Sequence, residues 1–323
     1  MKKILILHTG GTIAMSEDDK TGAVTPGEKN PLNDDLDALK KHAFITSEQY
    51  FNIPSPHMTP ELMFQLAKHI DERVVKECFE GVIVTHGTDT LEETAYLLDL
   101  LVQTSIPVIV TGAMRSSNEI GADGPYNLMA ALKVAICDDA FRKGVLVVLN
   151  DEIHAAKNVT KTHTSNIATF QSPQYGPIGI VTKRGVFFHH IPSKRDSYNI
   201  SHLSKKVLLL KAFAGMEDSI FDAITNMKID GLVIEAFGQG NLPPNIVPSL
   251  ERLMSNKIPV VLVSRCFNGI VQDTYGYDGG GKQLKKRGVI FTNGLNGQKA
   301  RLKLMVALQL TDDFEELQEL FLN

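Results

Sequence analysis

Apolar runs of strand length recur along the chain at 4–7, 82–84, 108–110, 145–149, 207–210, 232–237 and 260–263, and turn residues close each one. Between several of them the apolar positions change to a helical period. In TLEETAYLLDLLVQ (90–103), Leu91, Ala95, Leu98 and Val102 fall on one face. NLMAALKVAI (127–136) repeats the pattern through Leu128, Ala131, Leu132 and Ala135. Unbroken apolar runs of this length read as strands buried on both faces. Strands of that kind alternating with helices predict an α/β fold, with a largely parallel sheet in each of two domains.

The rhythm breaks over 183–206, which is polar and carries Pro192 and several charges. The expected organisation is therefore an N-terminal catalytic domain over 1–190, a linker over 191–206 and a smaller α/β domain over 207–323. In the second domain, strands near 207, 232 and 260 alternate with helices near 219 and 246, and two helices follow 297.

Composition narrows the possibilities. A chain of 323 residues with 43% hydrophobic content can bury a large core, and its formal charge of −4 offers nucleic acid no basic surface. Cys78, Cys137 and Cys266 are odd in number and widely spaced, so they imply no disulfide framework. The apolar run after MKK is too short for a secretory leader, and no stretch approaches the ~20 residues of a membrane helix. A cytoplasmic protein without membrane contact is expected.

In open α/β sheets, ligands bind beyond the carboxyl ends of the strands. The first strand ends in His8-Thr9-Gly10-Gly11-Thr12, the second in VTHGTDTLEE and the third in TGAMR. Each carries small residues and hydroxyls, so a polar ligand could lie against bare backbone. Thr90 and Glu93 have capping-box spacing, which places Thr88 and Asp89 just before a helix N-terminus. GYDGGGKQ, from Gly276, has the glycine spacing of a P-loop, but Gln283 stands where Ser or Thr is needed. It follows no strand, and no helix is expected after it. There is no G-x-S-x-G elbow and no H-E-x-x-H, so neither the usual α/β-hydrolase nor a metal centre is indicated.

TGGTIA (9–14), THGTDTLEETA (85–95), TGAMR (111–115), NVTKTHT (158–164) and GQGN (238–241) together resemble the bacterial L-asparaginases. The resemblance is colinear and nearly end to end, reaching GLNGQKARLKLMVAL at 294–308. The middle of the chain looks more like the exported branch. The resemblance implies hydrolysis of asparagine to aspartate and ammonia through a threonine acyl-enzyme, without cofactor or metal. Its nucleophile falls on Thr12, and its second cluster falls on Thr88, Asp89 and Lys161. Gly11, Ser55, Gly87, Thr88, Asp89 and Ala113 correspond to substrate contacts, and Asn241 to a contact supplied by a neighbouring subunit of a dimer or tetramer.

These residue types suit the chemistry. A threonine hydroxyl needs a base or a hydrogen-bond partner to become nucleophilic. Lys161 could act as a base only when neutral, and Asp89 beside it favours the ammonium. Asp89 is therefore expected to grip the substrate's α-ammonium while Lys161 tunes Thr88. Two departures stand out. The family activates its first threonine with a tyrosine in the following loop, yet 15–36 contains none, and Ala23 or a neighbour takes the place. The partner-subunit glutamate of the exported branch has no counterpart in DTYGYDGGGKQLKKRG, where Tyr275, Tyr277 or Asp278 could substitute, or Lys282 in a different role. These departures weaken any claim to glutaminase activity. A non-catalytic asparagine or aspartate sensor, or an amidase for another small amide, would be the competing reading.

Overall fold

A computed structural model of the chain describes residues 1–18, 20–26, 30–32, 36–192 and 195–322. They form two compact units, Met1–Ser197 and Tyr198–Asn323. The first unit opens with β1 (Lys3–His8), a hairpin of β2 (Met15–Glu17) and β3 (Val24–Pro26), and a short α1 (Leu36–Leu39). It continues through β4 (Phe44–Gln49), α2 (Pro60–Glu77), β5 (Gly81–Thr85), α3 (Leu91–Leu101), β6 (Val108–Thr111) and α4 (Gly124–Ala135). After these come β7 (Val145–Leu149), β8 (Glu152–Ala155), β9 (Thr160–Lys161), β10 (Phe170–Gln171), β11 (Gly179–Thr182) and β12 (Gly185–Phe188).

The main sheet runs β12-β11-β8-β7-β6-β5-β1-β4. Neighbours from β7 to β4 are parallel, and those from β7 out to β12 are antiparallel. Ile4, Ile6, Ile83, Ile109 and Leu146 share one core with Leu128, Ala131 and Leu132 of α4. The alternate residues Leu5, Leu7, Val82, Val84 and Val110 are buried as well, which is why these strands read as unbroken apolar runs. Helix α3 meets β6 and β7 as well as α2, and almost all of its surface is buried. Two carboxylates, Glu92 and Asp99, are buried with it. At the antiparallel flank, Asn150 and Asp151 turn the β7–β8 hairpin with φ of 49° and 62°, the pair of positive values that a type I′ turn requires.

Helix α2 and strand β4 are among the elements of this unit that have no counterpart in the expected pattern. Helix α2 buries Met63, Leu66, Ala67 and Ile70, begins with Pro60, and is capped by Thr59, whose Oγ1 accepts from the Leu62 N–H at 3.3 Å. The helical spacing of these apolar positions is present in the sequence. Strand β4 is an edge strand of half-exposed, mostly polar residues, so it offers no apolar run. Its register on β1, with Ile6 opposite Ser47 and His8 opposite Gln49, is set by the neighbour rather than by its own pattern.

The second unit contains β13 (Val207–Lys211), α5 (Ser219–Asn226), β14 (Gly231–Ala236), α6 (Val247–Ser255) and β15 (Val260–Ser264). It ends with α7 (Gly281–Lys286), β16 (Ile290–Phe291), α8 (Gly297–Leu310) and α9 (Phe314–Leu322). Its sheet is parallel in the order β13-β14-β15-β16. Leu232, Ile234, Val260 and Leu262 pack with Phe221, Ile224, Leu250 and Leu253 in its core. One expectation is corrected here: a helix, α7, does open at Gly281 after the glycine run. Its start is braced by Asn241, whose Oδ1 accepts from the Gly281 N–H at 3.2 Å. Among the described residues no helix is long and apolar enough to cross a membrane.

Candidate active site

The carboxyl ends of β1 and β5 meet backbone against backbone, and glycine makes this possible. Thr9 donates to the Thr85 carbonyl through both its N–H (3.0 Å) and its hydroxyl (2.9 Å). Beyond it, Gly10 has φ of 97°, and an added Cβ would lie 2.5 Å from the backbone N and O of Ile53. Gly11 has φ of 83°, and its Cβ would lie 2.1 Å from the Cα of Gly87. The glycines thus bring the turn after β1 directly onto the turn after β5. Thr12 then starts a 3-10 turn that buries Ile13 and Ala14, closed by the Ala14 N–H donating to the Gly11 carbonyl at 2.8 Å. Thr12 itself is half-buried, and its hydroxyl has no hydrogen-bond partner among the described residues.

On the β5 side, Lys161 joins the cluster. Its Nζ donates to Thr88 Oγ1 at 3.0 Å and to Asp89 Oδ1 at 2.7 Å. The Lys161 side chain is 18% exposed and that of Asp89 is 59% exposed, so the carboxylate still faces solvent. Ser55, nearly buried, lies against Gly87, where an added Cβ would come within 2.8 Å of Ser55 Oγ. Ser55 Oγ accepts from the Asp89 N–H at 3.2 Å, and its carbonyl accepts from the Thr90 hydroxyl at 2.8 Å. The capping box expected at Thr90 is therefore not what forms. Thr90 does occupy the N-cap position of α3, but its side chain makes no cap bond and is used on Ser55 instead.

The third strand end packs onto the same place. An added Cβ on Gly112 would lie 2.6 Å from the His86 carbonyl and 3.4 Å from the Thr88 methyl. Ala113 is fully buried. Asn127 Nδ2 donates to the Gly112 carbonyl at 3.0 Å, and Asp123 accepts the N–H groups of Met114 and Arg115. Gly11, Ser55, Gly87, Thr88, Asp89 and Lys161 are thereby joined by direct contacts, with Thr12 next along the chain from Gly11 and Ala113 next to Gly112. Asn241 lies in the second unit, in a tight turn where Phe237 and Asn241 exchange backbone hydrogen bonds of 2.9 Å.

Several residues at this site escaped the sequence reading. Glu92, buried in the first turn of α3, accepts the Lys161 backbone N–H at 2.6 Å. The turn end of the β2–β3 hairpin is tied to the loop after β6: Asn118 exchanges hydrogen bonds of 2.8 Å with the backbone N–H and carbonyl of Glu17. Ala23, at the place expected for the family's tyrosine, is exposed within this hairpin, whereas 19, 27–29 and 33–35 lie outside the described residues. No local pattern could have pointed to Glu92 or Asn118, because each partner is distant in sequence. Among the described residues, no group of three or more His, Cys, Asp or Glu is placed to hold a metal ion.

Two buried histidines underlie the strand ends. His8 Nδ1 lies 2.8 Å from Thr85 Oγ1 and its Nε2 lies 3.0 Å from Ser47 Oγ. His86 Nδ1 donates to the Gly87 carbonyl at 2.7 Å, so its Nε2 accepts from the Thr94 hydroxyl at 2.9 Å. Burial pushes each imidazole down from 6.5 to about 4, against a smaller upward pull on His86 from Gly87. Between those values the unfolded chain binds the proton and the folded chain does not. Stability therefore falls as pH drops from 6.5 towards 4, by about 1.4 kcal/mol per unit for each histidine. Chemical denaturation should show a lower midpoint at pH 5 than at pH 7, and His8→Gln should reduce that difference. Equal midpoints would contradict neutral, buried histidines.

Comparisons with known proteins agree with one another. The model of the N-terminal asparaginase domain matches residues 3–194, and that of the glutaminase/asparaginase C-terminal domain matches residues 206–321. The chain is 38% identical to a probable L-asparaginase of Deinococcus radiodurans over 325 residues, covering 99% of this chain and 97% of that protein. It is 35% identical to L-asparaginase 2 of Escherichia coli over 333 residues, covering 99% and 93%. The crystal structure of a probable cytoplasmic L-asparaginase from Campylobacter jejuni superposes with a TM-score of 0.87 at 35% identity, covering 99% of both chains.

Proposed function

The chain belongs to the asparaginase family and is an amidohydrolase of asparagine, and from that premise we propose that Thr12 is its nucleophile, with Thr88, Asp89 and Lys161 as the second catalytic cluster. The observation that carries this reading is Lys161 Nζ donating to both Thr88 and Asp89, beside a Gly11–Gly87 contact that draws the Thr12 turn in. The Thr12 oxygen attacks the side-chain amide carbon of asparagine, ammonia leaves, and water then cleaves the β-aspartyl ester to give aspartate. Lys161, as a donor, stabilises negative charge on Thr88. The exposed side of Asp89 takes the substrate's α-ammonium, and the hydroxyl of Ser55 with the backbone around Gly87 and Thr88 takes the α-carboxylate. Backbone N–H groups near Gly11, Thr88 and Ala113 supply the oxyanion donors, each worth about 3 kcal/mol.

The same reading includes a cytoplasmic location and a dimer or tetramer in which Asn241 of one copy completes the site of another. Ammonia release should be measured on asparagine and glutamine side by side. Turnover of asparagine with little of glutamine is the expected result. Stabilisation by aspartate without any turnover would identify a sensor instead, and preference for another amide would reassign the substrate.

A further inference from the structure

The first turn of α3 gathers two distant pieces of chain beside Thr88 and Asp89. It does so through side chains to which the proposed chemistry assigns no role. Glu92, 4% exposed, accepts the Lys161 backbone N–H at 2.6 Å. Two residues earlier, the Thr90 hydroxyl donates to the Ser55 carbonyl at 2.8 Å. We propose that Glu92 and Thr90 are positioning residues, Glu92 fixing the reach of Lys161 and Thr90 fixing the hydroxyl of Ser55. This inference rests on the roles given above to Lys161 and Ser55.

The argument for Glu92 is one of reach and register. Lys161 stands on the two-residue strand β9, whose partner is the equally short β10, and a two-stranded ribbon holds its position poorly by itself. A lysine stem has four flexible carbons, so where its backbone is fixed decides where its ammonium goes. Glu92 fixes that backbone to the same helix whose preceding loop presents Thr88 and Asp89. Helix, Glu92, Lys161 backbone, ammonium and loop thus form a closed circuit. A carboxylate is a costly group to bury, and its place near the helix N-terminus offsets part of that cost. For Thr90, the sign is what the hydroxyl forgoes. At an N-cap a threonine oxygen ordinarily accepts from the first turn of its own helix. Here it donates across to residue 55, while the neighbouring Asp89 N–H holds Ser55 Oγ at 3.2 Å. Ser55 is thereby gripped at both its carbonyl and its hydroxyl.

The two roles separate kinetically. Lys161 acts in the chemical step and Ser55 in substrate binding, so their supports should move different constants. The experiment is steady-state ammonia release from asparagine by full-length wild type, Glu92→Ala, Glu92→Gln, Thr90→Val, Thr90→Ser, Lys161→Ala and the Glu92→Ala/Lys161→Ala double variant. Circular dichroism and thermal midpoints check folding. Misplacement by ~1 Å costs about 100-fold, so Glu92→Ala should lower kcat by ~10–100-fold with KM little changed. Glu92→Gln, which keeps an acceptor oxygen, should recover most of that loss. In the Lys161→Ala background, Glu92→Ala should cost nothing further. Thr90→Val should raise KM by about tenfold with kcat preserved, and Thr90→Ser should restore it. If Glu92→Ala does not fold, Glu92→Asp, which draws the carboxylate back by one carbon, should show the same loss in kcat. Equal losses from Glu92→Ala with and without Lys161, or identical shifts of kcat and KM in the two single variants, would overturn the inference. A wild type that releases no ammonia, or a fully active Lys161→Ala, would instead refute the catalytic reading beneath it.

Discussion

Thr12→Ala should lower kcat for asparagine by at least ~10⁴-fold, the scale on which loss of a nucleophile acts in other acyl-transfer enzymes. The fold should survive. The Thr12 hydroxyl has no partner among the described residues, and the 3-10 turn that it starts is closed by backbone, Ala14 N–H to the Gly11 carbonyl. Removing one half-buried hydroxyl of this kind should change stability by no more than about 0.5 kcal/mol. The thermal midpoint and the binding of aspartate, followed calorimetrically, should stay close to wild type. Wild-type turnover in Thr12→Ala would remove Thr12 from the mechanism and transfer the role of nucleophile to Thr88.

Gly11→Ala should damage activity and stability together. Alanine at φ of 83° is strained before any contact is considered, and its methyl would stand 2.1 Å from Gly87 Cα and 2.3 Å from Gly87 N. Both obstacles are backbone, so neither can rotate aside. The turn after β1 must retreat from the turn after β5, carrying Thr12 away from Thr88. A shift of ~1 Å would cost about 100-fold in kcat/KM. The accompanying loss of stability should be about 2–4 kcal/mol, readable in the denaturation midpoint. Gly22→Ala is a useful control: φ there is 67°, but the nearest atom to an added Cβ is a flexible Glu17 side chain at 3.7 Å. If Gly11→Ala proves no worse than Gly22→Ala, close approach of the two strand ends is not what the glycine supplies.

The parallel half of the first sheet was legible because β1, β5, β6 and β7 are buried on both faces, and burial on both faces leaves an uninterrupted apolar run. Strand β4 was not, because an edge strand needs only its neighbour's hydrogen bonds and can keep residues such as Thr46, Ser47 and Glu48. The N-terminus of α3 was placed correctly from Thr90, yet the use of its hydroxyl was misjudged. The competing acceptor, the Ser55 carbonyl, lies 35 residues away, and local spacing carries no trace of it. The glycine pair at 10–11 did announce a close backbone approach, but not its object. Likewise, that Lys161 meets Thr88 across 73 residues is a property of the topology, which the sequence states only through resemblance to a family.

The position of β1 in the sheet also bears on how the protein is made. Strand β1 is an inner strand, and both of its partners follow it in the chain: the Tyr50 N–H, just past β4, reaches back to the His8 carbonyl, while Thr85 of β5 lies 77 residues after His8. At a synthesis rate of ~5–20 residues per second, Ile4 to Leu7 must wait about 4–15 s for both edges to be covered. During that interval a bare aliphatic strand is a target for chaperones and for self-association. Crowded or overproducing cells should therefore lose more of this protein at the nascent stage than its finished stability would suggest.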